Sequence, residues 1–121
     1  MAGVSKGAAG EVLAARFLRD NGYIVLGGNY HTRFGEVDII AENDEYVVFV
    51  EVKSREEDSL YRPSEAVTAD KQRRIIKAAL HFIAYHPNPR QMRFDVVEVV
   101  TAKGQPMKAL EINHIQNAYG G

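Results

Sequence analysis

Residues 46–53 constrain the fold more than any other part of the chain, because the run YVVFVEVK is almost continuously apolar. A strand with one face in water alternates apolar and polar residues, whereas an unbroken apolar run is typical of a strand covered on both faces. Residues 37–41 (VDIIA) form a second β run, and the turn-forming Asn43, Asp44 and Glu45 between the two runs predict a hairpin. The sequence therefore predicts a sheet with helices on both sides.

The remaining elements follow from helical and β periodicity. Apolar residues at helical spacing predict a helix over 7–21 that ends at Gly22, and a second over 68–85 that ends before Pro87 and Pro89. Further β runs fall at residues 23–26, 30–33 after a glycine-rich break at 27–29, 94–100 and, more weakly, 108–113. The polar stretch 54–64 is expected to be an exposed loop. The predicted order is α-β-β-β-α-β-β, an α/β fold with a mixed sheet flanked by helices.

Length and composition limit the classes of protein that the chain can belong to. Its 121 residues correspond to a single domain over 1–121, and 45% apolar with 26% charged residues is ordinary globular composition. The absence of cysteine excludes disulfide frameworks, thiolate zinc sites and cysteine nucleophiles. No apolar run is long enough to span a bilayer, and residues 1–10 lack the apolar core of a signal peptide. We therefore expect a cytoplasmic protein with no membrane partner.

Charge is spread unevenly along a chain whose formal net charge is −1. Residues 36–60 carry nine acidic side chains against two basic ones, whereas residues 61–95 carry seven basic side chains against three acidic ones. An acidic centre beside a basic helix suits a site that binds a cation and a polyanion together. A solvated helix face beside an acidic hairpin would give the same composition, so the charges alone leave both interpretations open.

The register of the predicted hairpin decides whether its acidic residues meet. If the hairpin closes symmetrically about Asp44 and Glu45, Asp38 lies directly opposite Glu51, and Lys53 shares the face of Glu51. A slip of one residue would instead put the two carboxylates on opposite faces. We predict the symmetric register, in which Asp38 and Glu51 form an acidic pair beside Lys53.

Charges in such a buried strand are unfavourable unless they are paired or bind a metal. Opposed Asp38 and Glu51 would repel each other, and Lys53 would offset only part of that repulsion. A hard divalent cation, magnesium (Mg²⁺) or manganese (Mn²⁺), would resolve it. The group then has the composition of a metal site that activates water for attack on a phosphodiester.

Glu11 is a further candidate carboxylate. At helical spacing it lies in line with Ala14, Ala15 and Leu18, on the face of the first helix that is expected to turn inward. A surface glutamate in the first helical turn, stabilised by the helix dipole, explains the residue equally well. Both interpretations remain open at this point.

Several motifs together resemble a known family. They are Lys6-Gly7, Glu11, Asn29-Tyr30, GEVDIIA at 35–41, VFVEVK at 48–53, KQRR at 71–74 and RFDVV at 93–97. This set, which covers nearly the whole chain, resembles the YraN family of small bacterial proteins. That family is similar to the PD-(D/E)XK nuclease superfamily, with its restriction-endonuclease-like core, and within it to archaeal Holliday junction resolvases.

The resemblance implies a role for each matching residue. Asp38 and Glu51 become metal ligands, Glu11 an additional ligand, and Lys53 the residue that orients or activates the attacking water. The backbone carbonyl of Val52 becomes a further ligand. Gln72 matches a glutamine that many superfamily members place near the site. The chain departs from the pattern in two places, with Val37 where many members have proline and Ile76 where some have tyrosine, and the second departure weakens the case for Gln72.

The resemblance also implies a nucleic-acid substrate, DNA and more specifically branched DNA, and a homodimer that cuts two strands. The candidate phosphate contacts are Arg33, Arg55, Lys71, Arg73 and Arg74, although for any one of them taken alone an exposed polar surface is the favoured interpretation. Tyr30 and His31 could stack on a base or simply pack, and the four histidines show no metal-ligand spacing. Two other functions remain open: a nucleic-acid-binding module that does not cut, and an interaction protein in which the charged group is a buried ion network.

Overall fold

Two helices and five strands follow one another in the predicted order. A computed structural model describes residues 6–60 and 67–120, and of Lys6 only the backbone. The elements are α1 (Lys6–Asp20), β1 (Ile24–His31), β2 (Glu36–Glu42), β3 (Tyr46–Glu56), α2 (Ala69–Tyr85), β4 (Gln91–Ala102) and β5 (Gln105–Tyr119). Neither of the two described helices has the length and the apolar character that a membrane-spanning helix needs.

The five strands form one sheet in the order β1-β2-β3-β4-β5. Neighbouring strands are antiparallel except for β3 and β4, which run parallel because α2 carries the chain back between them. Residues 47–51 of β3 are all buried. The prediction of a central strand covered on both faces is confirmed, as is the α/β class with a restriction-endonuclease-like core.

Each face of the sheet is covered by one helix. Leu13, Ala14 and Leu18 of α1 pack on one face, in a cluster that includes Val48 and Val50. On the other face, α2 contributes Ile75, Ala78 and Ala79 to a second cluster, which includes Val47 and Phe49. Alternate residues of β3 therefore contact opposite helices, and a side chain's position along β3 decides which helix it meets.

The β2–β3 hairpin adopts the predicted symmetric register. Ile39 pairs with Val50 and Glu42 with Val47, so the same register extended by one residue sets Asp38 against Glu51. At this point the Asp38 carboxylate accepts a hydrogen bond from the Val52 N–H at 2.8 Å, in place of a backbone partner. The acidic pair thus lies where the backbone ladder between β2 and β3 gives way to a side-chain contact.

Three boundaries differ from the sequence prediction. β1 runs unbroken from Ile24 to His31 and absorbs its glycines through a bulge between Val25 and Gly27. β3 continues to Glu56, so residues 54–56 are strand rather than loop, because they pair with β4; residues 61–64 lie outside the described part of the chain. β5 is much longer than 108–113, because backbone pairing with β4 extends a strand whose side chains are mostly exposed and give little apolar signal.

Candidate metal centre

Asp38 lies half-buried on β2 with its carboxylate directed towards the neighbouring strand. Burial raises the pKa of Asp38 to about 7, and the negative charge of Glu51 adds to the rise, with a smaller contribution from Glu11. The hydrogen bond from the Val52 N–H acts in the opposite direction but does not prevent the shift. Asp38 therefore sits among more negative charge than its neighbours neutralise.

Glu51 is the more deeply buried member of the pair, with 6% of its side chain exposed. Its Oε1 atom accepts from two ammonium groups, Lys53 Nζ at 3.1 Å and Lys71 Nζ at 2.6 Å. Lys53 is itself nearly buried, with 12% of its side chain exposed. Two carboxylates and two ammonium groups therefore share one partly buried site. The hairpin register predicted this for Asp38, Glu51 and Lys53, but not for Lys71.

Lys71 makes a contact with Glu51 that the sequence did not predict. Its assignment to phosphate binding stays a prediction. Burial disfavours the charge of Lys71, but the contact with Glu51 outweighs this and raises the pKa of the Lys71 ammonium above its ordinary value. A signal was present in the sequence: Lys71 begins the stripe that continues with Ile75, Ala78 and Phe82 at helical spacing. That stripe is the face of α2 that packs on the sheet.

Glu11 faces inward, as one of its two interpretations required. The residue is half-buried on α1 and lines, together with Asp38, a cavity of about 370 Å³ between α1 and β1. Its charge contributes to the raised pKa of Asp38. Within the described ranges, however, no three Asp, Glu or His side chains are grouped closely enough to hold one ion together. A metal role for Glu11 stays a prediction.

The donor set fits a small hard cation. Mg²⁺ is commonly held by one or two carboxylates and completes its shell with waters and substrate phosphate oxygens, so Asp38 and Glu51 are a sufficient protein contribution. Burial and, after it, the charge of Glu51 raise the pKa of Asp38, so a cation bound between the two carboxylates would relieve an unfavourable charge. The predicted participation of the Val52 carbonyl stays a prediction, although the N–H of the same residue already fixes Asp38.

Gln72 has a clear structural contact of its own. Its side-chain Nε2 donates to the backbone carbonyl of Val67 at 3.1 Å, just before the N-terminus of α2. Thr68 caps the same helix end by accepting from the Lys71 N–H at 3.1 Å. These contacts hold the turn of helix that carries Lys71, and a direct role for Gln72 in chemistry stays a prediction.

The other predicted basic residues are distributed around the site. Arg73 and Arg74 are exposed and pair with Asp70 at 3.5 and 2.8 Å. Arg55 is half-buried near the end of β3, and Arg33 stacks on the ring of Phe34 at 4.8 Å. Their assignment to phosphate binding stays a prediction for each of them.

Of the two other residues considered for base stacking, Tyr30 packs inside the molecule. Its ring contacts Phe82 edge-on, and its hydroxyl bonds His81 Nδ1 at 2.6 Å. His31 is exposed and lies 2.8 Å from Glu36. Tyr30 therefore acts as a packing residue, which was one of its two interpretations.

Three buried side-chain oxygen atoms of the described residues lack a hydrogen-bond partner, and none was anticipated: Ser54 Oγ, Glu98 Oε1 and Tyr119 Oη. Glu98 is the parallel-strand neighbour of Lys53. Burial raises the pKa of the Tyr119 hydroxyl, and the charges of Glu51 and Asp38 raise it further, which places that hydroxyl within their electrostatic reach. Neither Glu98 nor Tyr119 carried a sequence signal, because both depend on how β4 and β5 pair with the central strand.

Known proteins match this chain over most of its length. The family described as "Uncharacterised protein family UPF0102" matches residues 10–99. A UPF0102 protein of Syntrophomonas wolfei is 43% identical over 112 residues, covering 91% of this chain and 93% of the relative. A UPF0102 protein of Caldicellulosiruptor bescii is 45% identical over 116 residues (93% and 95%), and one of Thermodesulfovibrio yellowstonii is 37% identical over 119 residues (98% and 99%). The chain therefore belongs to the UPF0102 family, the YraN family that its motifs resemble.

Proposed function

We propose that the protein is a metal-dependent nuclease that hydrolyses phosphodiester bonds of nucleic acid, with DNA as the substrate. The observation that carries the proposal is the meeting of Asp38 and Glu51, with two ammonium groups on Glu51, where the β2–β3 ladder ends. The motif resemblance to PD-(D/E)XK nucleases supports the same chemistry for this donor set. A branched DNA substrate and a homodimer rest on that resemblance alone.

Each side chain of the site has a distinct role in this proposal. Asp38 and Glu51 would hold Mg²⁺ or Mn²⁺, with Glu11 assisting from α1. The cation supplies a Lewis acid that polarises a phosphate oxygen and lowers the pKa of water. Lys53 would orient the attacking water and stabilise the charge that develops on the phosphate. Lys71, on a different element, would add a second positive charge facing the substrate once the cation neutralises Glu51.

Cleavage of defined DNA substrates tests the proposal. Linear, flapped and four-way DNA are incubated with purified protein in Mg²⁺ or Mn²⁺, and with EDTA as the metal-free arm. We expect metal-dependent cleavage by the wild type and loss of it in Asp38→Asn and Lys53→Ala. The exposed turn variant Asp44→Asn serves as the matched acidic control and should cut like the wild type. If the wild type cuts no more than Asp38→Asn in every metal, the proposal is wrong.

A non-catalytic role is favoured by one observation. Both lysines already lie on Glu51, so the group is also a satisfactory buried ion network without any cation. A protein of that kind would bind nucleic acid without cutting, or would serve only as an interaction module. It predicts that Glu51→Gln destabilises the fold equally with and without Mg²⁺, whereas the nuclease proposal predicts that added Mg²⁺ stabilises the wild type and not the variant.

A further inference from the structure

A groove leads away from the candidate metal centre along one flank of α2. Its walls are the β1–β2 turn, at Thr32 and Gly35, and the first turns of α2, including Lys71 and Arg74, around a cavity of about 560 Å³. The lining also holds two carboxylates, each paired with a neighbouring side chain: Glu36 with His31 and Asp70 with Arg74. The turn and the helix approach closely here, since a Cβ atom on Gly35 would lie 2.9 Å from the Arg74 backbone oxygen. Because Lys71 also contacts Glu51, the groove opens from the site itself.

The groove continues into a surface of aromatic side chains, which we call the aromatic patch (Phe34, His81 and Tyr85). The ring centroids of Phe34 and His81 lie 6.5 Å apart, and those of His81 and Tyr85 lie 4.8 Å apart. Phe34 is 37% exposed and Tyr85 71% exposed, although both are large aromatic residues. A hydrogen bond between the Tyr30 hydroxyl and His81 Nδ1 holds His81 in place between the two rings. The aromatic patch is therefore fixed on its inner side by the contact with Tyr30, and its outer side is exposed to solvent, where a ligand can bind.

Positive charge accompanies the aromatic patch. Arg33 stacks on Phe34, and Lys77 lies one helical turn before His81 on the same flank of α2. Neither cation has a carboxylate within ion-pair distance in the part of the chain that the structure describes. Rings beside unneutralised cations match a ligand with flat apolar faces and a negative backbone, which is the chemistry of nucleic acid.

The geometry points to a binding site for an unpaired stretch of nucleic acid, with its backbone along the groove and its bases stacked on Phe34 and Tyr85. Bases within a duplex already stack on each other, so exposed rings select a single-stranded segment. Lys71 and His81 are ten residues apart on one helix, about 15 Å, which is the length of a few nucleotides. The inference rests on the proposed function, because it places that segment next to the bond to be cut.

Binding measured without metal tests the inference separately from cleavage. Fluorescence anisotropy in EDTA compares a dye-labelled oligothymidylate with a labelled duplex, using wild type, the Phe34→Ala/Tyr85→Ala double variant and the ring-preserving Phe34→Tyr/Tyr85→Phe variant. We expect the alanine pair to lose about fivefold or more in affinity for the single strand, with little change for the duplex, and the ring-preserving pair to bind like the wild type. Leu110→Ala is the matched control, since Leu110 is an exposed apolar residue on β5, at the sheet edge farthest from β1.

The outcomes separate the two proposals. Equal affinity of the alanine pair and the wild type for the single strand would overturn the inference, as would a change in oligomeric state in place of a change in affinity, because the patch would then bind a second copy of the chain. Loss of single-strand affinity in the alanine pair supports the inference, whether or not the wild type cuts DNA. Failure of the wild type to cut DNA would contradict only the proposal that the protein is a nuclease. Unchanged thermal unfolding of the alanine pair shows that any loss comes from the missing rings.

Discussion

Two aspartates of this protein, the half-buried Asp38 and the buried Asp95, have opposite electrostatic surroundings. Burial and the charge of Glu51 raise the pKa of Asp38 to about 7. Burial also acts to raise the pKa of Asp95, but hydrogen bonds from His114 and Arg93 outweigh it and hold that pKa below its ordinary value. Asp95 receives Arg93 Nε at 2.9 Å and His114 Nε2 at 2.7 Å, so its charge is satisfied by the protein. The charge of Asp38 is not satisfied in this way, as expected for the metal-binding carboxylate of the proposed function.

Substitution of Asp38 by asparagine should stabilise the metal-free protein at high pH. The folded-state pKa lies above the unfolded value of 3.8, so the wild type loses stability as the pH rises from about 4 to about 7. Asp38→Asn removes that loss and keeps an oxygen for the Val52 N–H. In EDTA at pH 8 the variant should be more stable by on the order of 2 to 4 kcal/mol, measured by urea unfolding, with the difference shrinking towards pH 4. A difference that does not depend on pH would contradict the assignment.

At the scale of elements, α1 is held against β3 by a close contact that also positions Glu11. A Cβ atom on Gly10 would collide with Ser54 Oγ and lie 3.1 Å from Ser54 Cβ. The Ser54 hydroxyl can rotate away, but the 3.1 Å contact with Ser54 Cβ would still force the helix and the strand apart by a few tenths of an ångström. Packing therefore favours glycine at position 10, whereas the helix as such would favour alanine. Glu11, the next residue, owes its half-buried position to this approach.

Gly10→Ala tests that contact. We expect a loss of about 1 to 3 kcal/mol in unfolding free energy, because overpacking outweighs the gain in helix propensity. Gly7→Ala in the same helix is the control: a Cβ there meets nothing within 4 Å, so this variant should be slightly stabilised. Denaturant unfolding of both variants measures the contrast. Stabilisation of both by similar amounts would show that α1 does not pack closely on β3 at Gly10.

The N-terminus of α2 makes the other element-level contribution by bringing Lys71 to Glu51. The ammonium group and a bound cation would compete for the same Glu51 Oε1 atom. Lys71→Ala should therefore bind Mn²⁺ several-fold more tightly than the wild type in calorimetric titration, while Lys77→Ala, an exposed lysine on the same helix, should not differ. Unchanged or weaker Mn²⁺ binding by Lys71→Ala would show that Lys71 does not compete for this oxygen.

At the scale of the whole molecule, the sequence predicted the features that depend on residues close together in the chain. The apolar run of β3 and the short turn before it were enough to predict the central strand and the register that opposes Asp38 to Glu51. The contact of Lys71 with Glu51 was not predicted, because a lysine near a helix start usually faces water and only its spacing to the buried face of α2 indicated this contact. The Asp95 network joins β4 to β5 and to Tyr23, contacts between distant parts of the sequence that no local pattern reports.

The most direct test of the account is a calorimetric titration of the purified protein with Mn²⁺, comparing wild type with Asp38→Asn, Glu51→Gln and the exposed control Asp44→Asn. The account predicts one saturable site in the wild type and in Asp44→Asn, and its loss or marked weakening in the two site variants. Equal binding by all four proteins, or none by the wild type, would contradict the claim that the carboxylates at the end of the β2–β3 ladder form a metal centre.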